Sequence, residues 1–203
     1  TALLACGFGI EDTVFYGIES DIKTFRNDDI TLTYSRLLSY SEAKDEIVGM
    51  DGIEDLELTR ASASTFYVDD GTRVTRSLTV LAPDTTHFDF RFAKNEVAMS
   101  TKAARLAGAK EGDVLNFDFD GKTYTAPVGL VYEAFYFHGI MIHADSTFLD
   151  GADIKYNGAL VDCKEGYTES LDKKLETLDF VSESQTQQEW EDYIGSAMSS
   201  VLV

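Results

Sequence analysis

Every charged side chain of this chain lies between Glu11 and Asp192. The first ten residues and the last eleven carry none, although the chain holds 36 acidic and 17 basic residues. Each run is about half of the ~20 apolar residues that span a bilayer. Chain ends are ordinarily polar and frayed, so two apolar ends read as stubs of flanking transmembrane helices. Two core helices of a soluble protein are the alternative. Both stubs continue inward at helical spacing, through Ile10, Val14, Ile18, Ile22 and Phe25 on one side and Trp190, Ile194, Ala197 and Val201 on the other. Two helices leaving one membrane run side by side. The stripe of Ile10, Val14 and Ile18 is therefore expected to meet Ile194, Ala197 and Val201 as an antiparallel stalk. Both termini are then expected on one side of the molecule.

Between the ends, turn and cap signals divide the chain. Residues 29–34 alternate as a strand. Ser39 with Glu42 forms a capping box opening a short helix that Gly49 closes. Residues 53–68 read as one long strand, Asp69-Asp70-Gly71 as a turn, and 73–81 as the returning strand. A second strand–helix–strand unit follows near the end: a strand over 156–163, a helix capped by Thr168 that carries Leu171 and Leu175, and a strand over 178–181. Two such units fit the split βαβ, ferredoxin-like plan. The stretch between them is mostly β, with a short helix over 101–107 between Ser100 and Gly108, and a hairpin at Asp120-Gly121. Pro83 and Pro127 are expected near strand ends. The fold class is thus α+β: a lobe of strand–helix–strand, ferredoxin-like units (29–91 and 153–184), which the family resemblance given below implies is porter-like, an inserted β-rich lobe (92–152), and two stalk helices (1–28 and 185–203).

The chemistry of the chain is sparse. A net charge of −19 repels phosphate backbones and argues against nucleic-acid binding. No Walker A loop, GxSxG elbow, HExxH or GxGxxG occurs, so no catalytic residue and no cofactor is expected. Cys6 and Cys163 lack any zinc spacing. Asn116, Asp118 and Asp120-Gly121 match the first half of a calcium loop, but Pro127 stands where the twelfth position requires a bidentate acid, so no metal is expected there. His138 and His143 lie five apart in an apparent strand and point to opposite faces, and His87 lies alone in a loop. The densest aromatic cluster, Tyr132, Phe135, Tyr136 and Phe137, reads either as a partner-contact surface or as packing between lobes.

Several passages together resemble a known family. Val97-Ala98-Met99-Ser100, Lys102-Ala103-Ala104, Leu106-Ala107-Gly108, Gly112-Asp113 and Asp120-Gly121-Lys122 are similar to a passage in the extracellular domain of FtsX-like (MacB-like) ABC transporter permeases. Gly129-Leu130-Val131-Tyr132-Glu133 with His138 and Ile140 resembles a later segment of the same domain, and Gly7 to Asp12 resembles the end of the first transmembrane helix. Gly139 and Met141 stand where relatives commonly carry aromatics. The resemblance runs in order along the chain. It implies the extracytoplasmic domain of a dimeric permease whose ATP hydrolysis resides on a separate ATP-binding cassette subunit or domain. Its role would be to couple that hydrolysis to export, or to mechanical action on an extracellular substrate or partner. The rival function is the ligand-binding ectodomain of a membrane-anchored sensor or adhesin. On either reading the chain binds no nucleotide. Its melting temperature is expected to be unchanged by millimolar ATP with or without magnesium, and a nucleotide-dependent rise in a thermal scan would refute this.

Overall fold

Two ladders on one 16-residue strand organise the chain. In a computed structural model, the described residues are 16–17, 20–21, 24–25, 27–69, 71–83, 85–88, 91–135 and 137–201, without the side chains of 194, 195 and 197–201. The elements in order are β1 (Ile30–Leu38), α1 (Tyr40–Ile47), β2 (Ile53–Val68), β3 (Val74–Leu81), β4 (Val97–Ser100), α2 (Thr101–Ala107), β5 (Val114–Phe119), β6 (Lys122–Tyr132) and β7 (Gly139–His143). A 3₁₀ turn (Thr147–Leu149), β8 (Tyr156–Cys163), α3 (Thr168–Leu175), β9 (Val181–Thr186) and α4 (Gln187–Val201) complete it. At 3.2–3.4 Å per residue, β2 is about 50 Å long, enough to serve two cores.

The first half of β2 belongs to a four-stranded antiparallel sheet in the order β2-β8-β1-β9. With α1 between β1 and β2 and α3 between β8 and β9, this is the β-α-β-β-α-β arrangement of ferredoxin-like folds. Alternation along β1 sends Ile30, Leu32 and Tyr34 to one face. There they pack with Leu58, Ala159 and Val161 against Ala43 and Ile47 of α1 and Leu171 and Leu175 of α3. The Ser39–Glu42 capping box that starts α1 is formed in both directions.

The second half of β2 enters a different arrangement. Residues 59–66 pair with β3 and 66–68 with β5. β3 pairs with β7, β7 with β4, β4 with β6, and β6 with β5. These six pairings close a ring, so the β-rich lobe is a small barrel. Its interior holds Phe66, Leu78, Met99, Leu115, Phe117 and Ile142, all fully buried, and α2 lies against it with Ala103, Ala104 and Ala107. The ring takes in β3 and half of β2, so its strands come from both sides of residue 91. The hairpin joining β5 to β6 turns at Asp120 (φ 46°) and Gly121 (φ 77°), the left-handed pair that a two-residue hairpin demands.

Several expectations need correction. The strand expected over 178–181 begins only at Val181. Residues 176–180 continue the exit from α3 as turns, with the Leu178 and Val181 N–H groups donating to Leu175 and Leu178 carbonyls. Phe180 is buried there against the edge of the Tyr34 ring. Thr168 does not cap α3: Tyr167 holds the cap position, without a side-chain bond. Pro127 sits inside β6 opposite Val114, the first residue of β5. His138 precedes β7 rather than sharing a strand with His143.

At the chain ends, residues 16–17, 20–21 and 24–25 are helical, as is α4. The expected meeting of Ile10, Val14 and Ile18 with Ile194, Ala197 and Val201 lies outside the described residues and side chains, as do Ala2 and Leu202. Among the described residues, no helix is long and apolar enough to cross a membrane.

The parallel β3–β7 ladder generates one prediction. A Cβ on Gly139 would meet the Ser77 carbonyl oxygen at 2.1 Å, backbone that cannot yield, whereas one on exposed Gly49 meets nothing within 4 Å. Gly139→Ala is expected to cost about 2 kcal/mol or more by urea unfolding. Gly49→Ala should stay within about 0.5 kcal/mol of the parent. Equal stabilities would show that the ladder is more loosely packed than described.

Candidate functional site

The place where the terminal helices meet the two lobes is built from aromatic rings and one buried acid. Phe25, on the N-terminal helical segment, is buried. Its ring lies 5.3 Å from Tyr132 at the end of β6, 5.2 Å from Phe137 in the following loop, and 6.5 Å from Phe88. Phe137 in turn stacks on Trp190 of α4, with centroids 6.5 Å apart and ring planes 16° from parallel. Phe137 is therefore the ring shared by the N-terminal segment and the C-terminal helix. Asp21 fastens the same loop. Its carboxylate, 4% exposed, accepts the Phe135 N–H at 3.0 Å and the Phe137 N–H at 3.2 Å. Gly17 lets the segment come this close, since a Cβ there would fall 2.7 Å from the Phe135 ring.

The four aromatics singled out in the sequence thus have different surroundings. Tyr132 is buried, Phe137 is half-buried between helices, Phe135 is exposed, and Tyr136 lies outside the described residues. Burial pushes the Tyr132 phenol well above its ordinary range, so it stays neutral. The rings thus bring the N-terminal segment and α4 into contact with the end of β6 and with the loop that starts β7.

The connection between β3 and β4 straps the two lobes together. His87, 2% exposed, lies on the sheet face opposite α1 and α3. Its Nδ1 is 2.8 Å from Glu57 on β2 and its Nε2 is 3.2 Å from Asp162 on β8. Glu57 also accepts the Thr86 N–H at 3.2 Å. Burial alone would lower the imidazole's pKa. The hydrogen bond and charge of Glu57, then the charges of Asp162 and Asp28, more than reverse this and raise it to about 9. Burial raises the Asp162 carboxyl, an effect His87 opposes. At neutral pH the strap is held by an imidazolium between two carboxylates. Farther along it, the Phe92 ring rests 4.4 Å from His143 of β7, and Asn95 accepts the Thr147 N–H at 2.8 Å.

The half calcium loop is occupied by cross-strand partners. Asn116 accepts Thr125 at 3.0 Å, Asp118 accepts Thr123 at 2.7 Å, and Asp120 pairs with Arg60 at 2.9 Å. Sequence reasoning missed His87, Glu57, Asp162 and Asp21. A signal for two of them existed. Glu57 stands between Leu56 and Leu58, and Asp162 between Val161 and Cys163. An acid inside a buried strand requires a partner.

The clamp has a pH signature. A folded-state pKa above the unfolded value gives stability that is complete below about pH 6.5 and is lost as pH rises through about 9. Urea unfolding is expected to show about 3 kcal/mol less stability at about pH 9.5 than at about pH 6. The difference should be largely absent in His87→Ala, which is destabilised at both. A parent profile flat over this window would remove the charge from the clamp.

No protein-family model matches the chain, and no curated protein matches it. Solved structures do. The periplasmic region of MacB from Actinobacillus actinomycetemcomitans superposes with a TM-score of 0.55 at 13% identity, over 90% of this chain and 97% of that one. The extracellular domain of the noncanonic ABC-type transporter YknZ from Gram-positive bacteria superposes with a TM-score of 0.53 at 11% identity, over 79% of this chain and 100% of that one. A ferredoxin-like sheet carrying an inserted β lobe, matched over most of the chain by both structures, identifies the architecture: this chain has the fold of the extracytoplasmic domain of MacB-like ABC transporters.

Proposed function

We propose that the chain is the extracytoplasmic domain of an ABC transporter permease, a non-enzymatic part of a dimeric assembly. In it, ATP hydrolysis by a cytoplasmic ATP-binding cassette subunit moves the terminal helices. The two lobes convert that motion into export of, or mechanical action on, an extracellular substrate. Residues 1–28 and 185–203 serve as stalk; the ferredoxin-like sheet, drawn from 29–91 and 153–184, is the porter-like lobe, and the barrel, 92–152 together with β3 and the second half of β2, is the β-rich lobe. One observation carries the reading: Phe137 is packed against Phe25 on one side and Trp190 on the other. Both terminal segments therefore bear on one loop, and that loop leads directly into β7 of the barrel. A binding module anchored at one end has no need of such a shared contact. Phe135 is exposed at the rim of the same loop, which supports the reading that this ring meets an external partner.

Distance measurements on the full-length protein in membranes, with its ATPase, test the reading. Spin labels at exposed Tyr193 on α4 and exposed Val114 on β5 are expected to change separation when ATP is added. Trp190→Ala should blunt that change while leaving ATP hydrolysis in place. A separation indifferent to nucleotide, or a full-length chain that isolates from native membranes with no ATPase, would favour the sensor or adhesin.

A further inference from the structure

Beside α2 the barrel surface carries a groove of about 500 Å³. Ala104, Ala109 and Val131 line its apolar side, and Arg105, Lys110 and Glu111 its charged side. Arg105 and Lys110 are exposed and make no ion pair among the described residues. Residues 97–110 hold three bases, Lys102 being the third, and no acid, in a chain of 36 acids and 17 bases. Lys102 is also exposed, one turn before Arg105 on α2. The next two acids are turned to backbone. Asp113 accepts the Lys110 N–H at 3.0 Å, and Glu111 accepts the Val131 N–H at 2.9 Å. The second bond marks an open edge. Pairing of β5 with β6 stops at Val114 and Pro127. Beyond it, β4 covers one edge of β6 over 128–132, and the turn over 110–113 borders the other. The Glu111 carboxylate thus takes an N–H that the carbonyl of a neighbouring strand would otherwise take.

We propose that this groove docks an acidic, extended segment of a partner polypeptide, and that Glu111 fills the place of that segment in the free protein. The chain itself shows what the groove holds: a carboxylate oxygen on the Val131 N–H, beside two cations. On docking, Glu111 turns out to solvent. A backbone carbonyl of the segment then takes the Val131 N–H, as in strand addition at a sheet edge. Carboxylates of the segment meet Arg105 and Lys110, and an apolar side chain covers Ala104 and Ala109. Charge selects the partner. The net charge of −19 repels anions at a distance, but within a Debye length of about 8 Å at physiological salt the local cations decide. An open floor of small side chains suits a peptide rather than an acyl chain. The proposal is independent of the transporter reading, since a sensor or adhesin would use the same groove.

The test is amide NMR of the 203-residue chain. The blocked peptide Leu-Glu-Val-Asp-Leu, its neutral counterpart Leu-Gln-Val-Asn-Leu, and vesicles of phosphatidylglycerol are titrated separately. The acidic peptide is expected to shift the amides of Arg105, Lys110 and Val131. It should bind about tenfold tighter than the neutral one at low salt and lose that margin at about 0.5 M salt. Arg105→Gln and Lys110→Gln are each expected to weaken it about fivefold. Glu111→Ala should tighten it about fivefold, and more than Glu111→Gln does, because glutamine removes the charge but keeps an acceptor for Val131. All three side chains are exposed, and unmoved amides along β1 and β8 report that the fold is intact. Equal affinity for the two peptides, or Glu111→Ala no tighter than Glu111→Gln, would overturn the proposal. So would shifts centred on another face, silence at millimolar peptide, or perturbation of these amides by the vesicles alone.

Discussion

The backbone ladder along β2 is the interaction on which the rest of the molecule depends. Its first half completes the ferredoxin-like sheet through β8, and its second half forms one stave of the barrel through β3 and β5. Backbone hydrogen bonding from Asp55 to Val68 joins two cores that share few side chains. A strand is stiff along its length, and buried backbone groups are costly to unpair. The two lobes consequently behave as parts of one sheet rather than as beads on a linker. The usual looseness between domains is removed at this edge, and motion is left to the other connections.

Those other connections are of two kinds. The strap between β3 and β4 is electrostatic where it meets the sheet, with one imidazolium between Glu57 and Asp162. It becomes apolar where Phe88 and Phe92 meet the N-terminal segment and β7. The junction with the terminal helices is aromatic, and Asp21 fastens its loop through two backbone N–H groups. Charge-assisted hydrogen bonds are directional and break over short distances, whereas stacked rings slide and still exclude water. The tie between the lobes is thus electrostatic, and the junction with the terminal helices is aromatic.

Much of this architecture was legible. The bounds of β2 and β8 stand as read, because each strand is flanked by strong turn chemistry such as Asp69-Asp70-Gly71 and Glu165-Gly166. The α1 capping box and the Asp120-Gly121 hairpin were equally local and equally visible. β9 was hidden for a physical reason. It is an edge strand, Val-Ser-Glu-Ser-Gln-Thr, that buries little and so lacks an apolar pattern, while the apolar Leu178 and Phe180 just before it belong to a turn. Ring closure was invisible because the parallel β3–β7 and β4–β6 pairs join segments far apart in sequence, and no single window contains them. The same holds for the site residues. Tyr132 and Phe137 stand out by composition, but the segment that covers them and the partners of His87 are set by the fold alone. What remains of the stalk pairing falls on residues outside the description.

Placing the barrel between β2 and β8 also shapes how the chain reaches this structure. In an uninterrupted ferredoxin-like unit these two strands form a hairpin that zips from its turn. Here the turn is a whole second core. The entropy of bringing two distant strands together grows with the length of chain between them, and that length is discounted once the intervening residues have closed into a ring. Barrel first, sheet second is thus the cheaper order of assembly. The converse also holds: a lesion inside the barrel, at Phe66 or Phe117, lengthens the effective loop that the ferredoxin-like sheet must close. It weakens pairing at Ile53–Thr59 without touching any residue there.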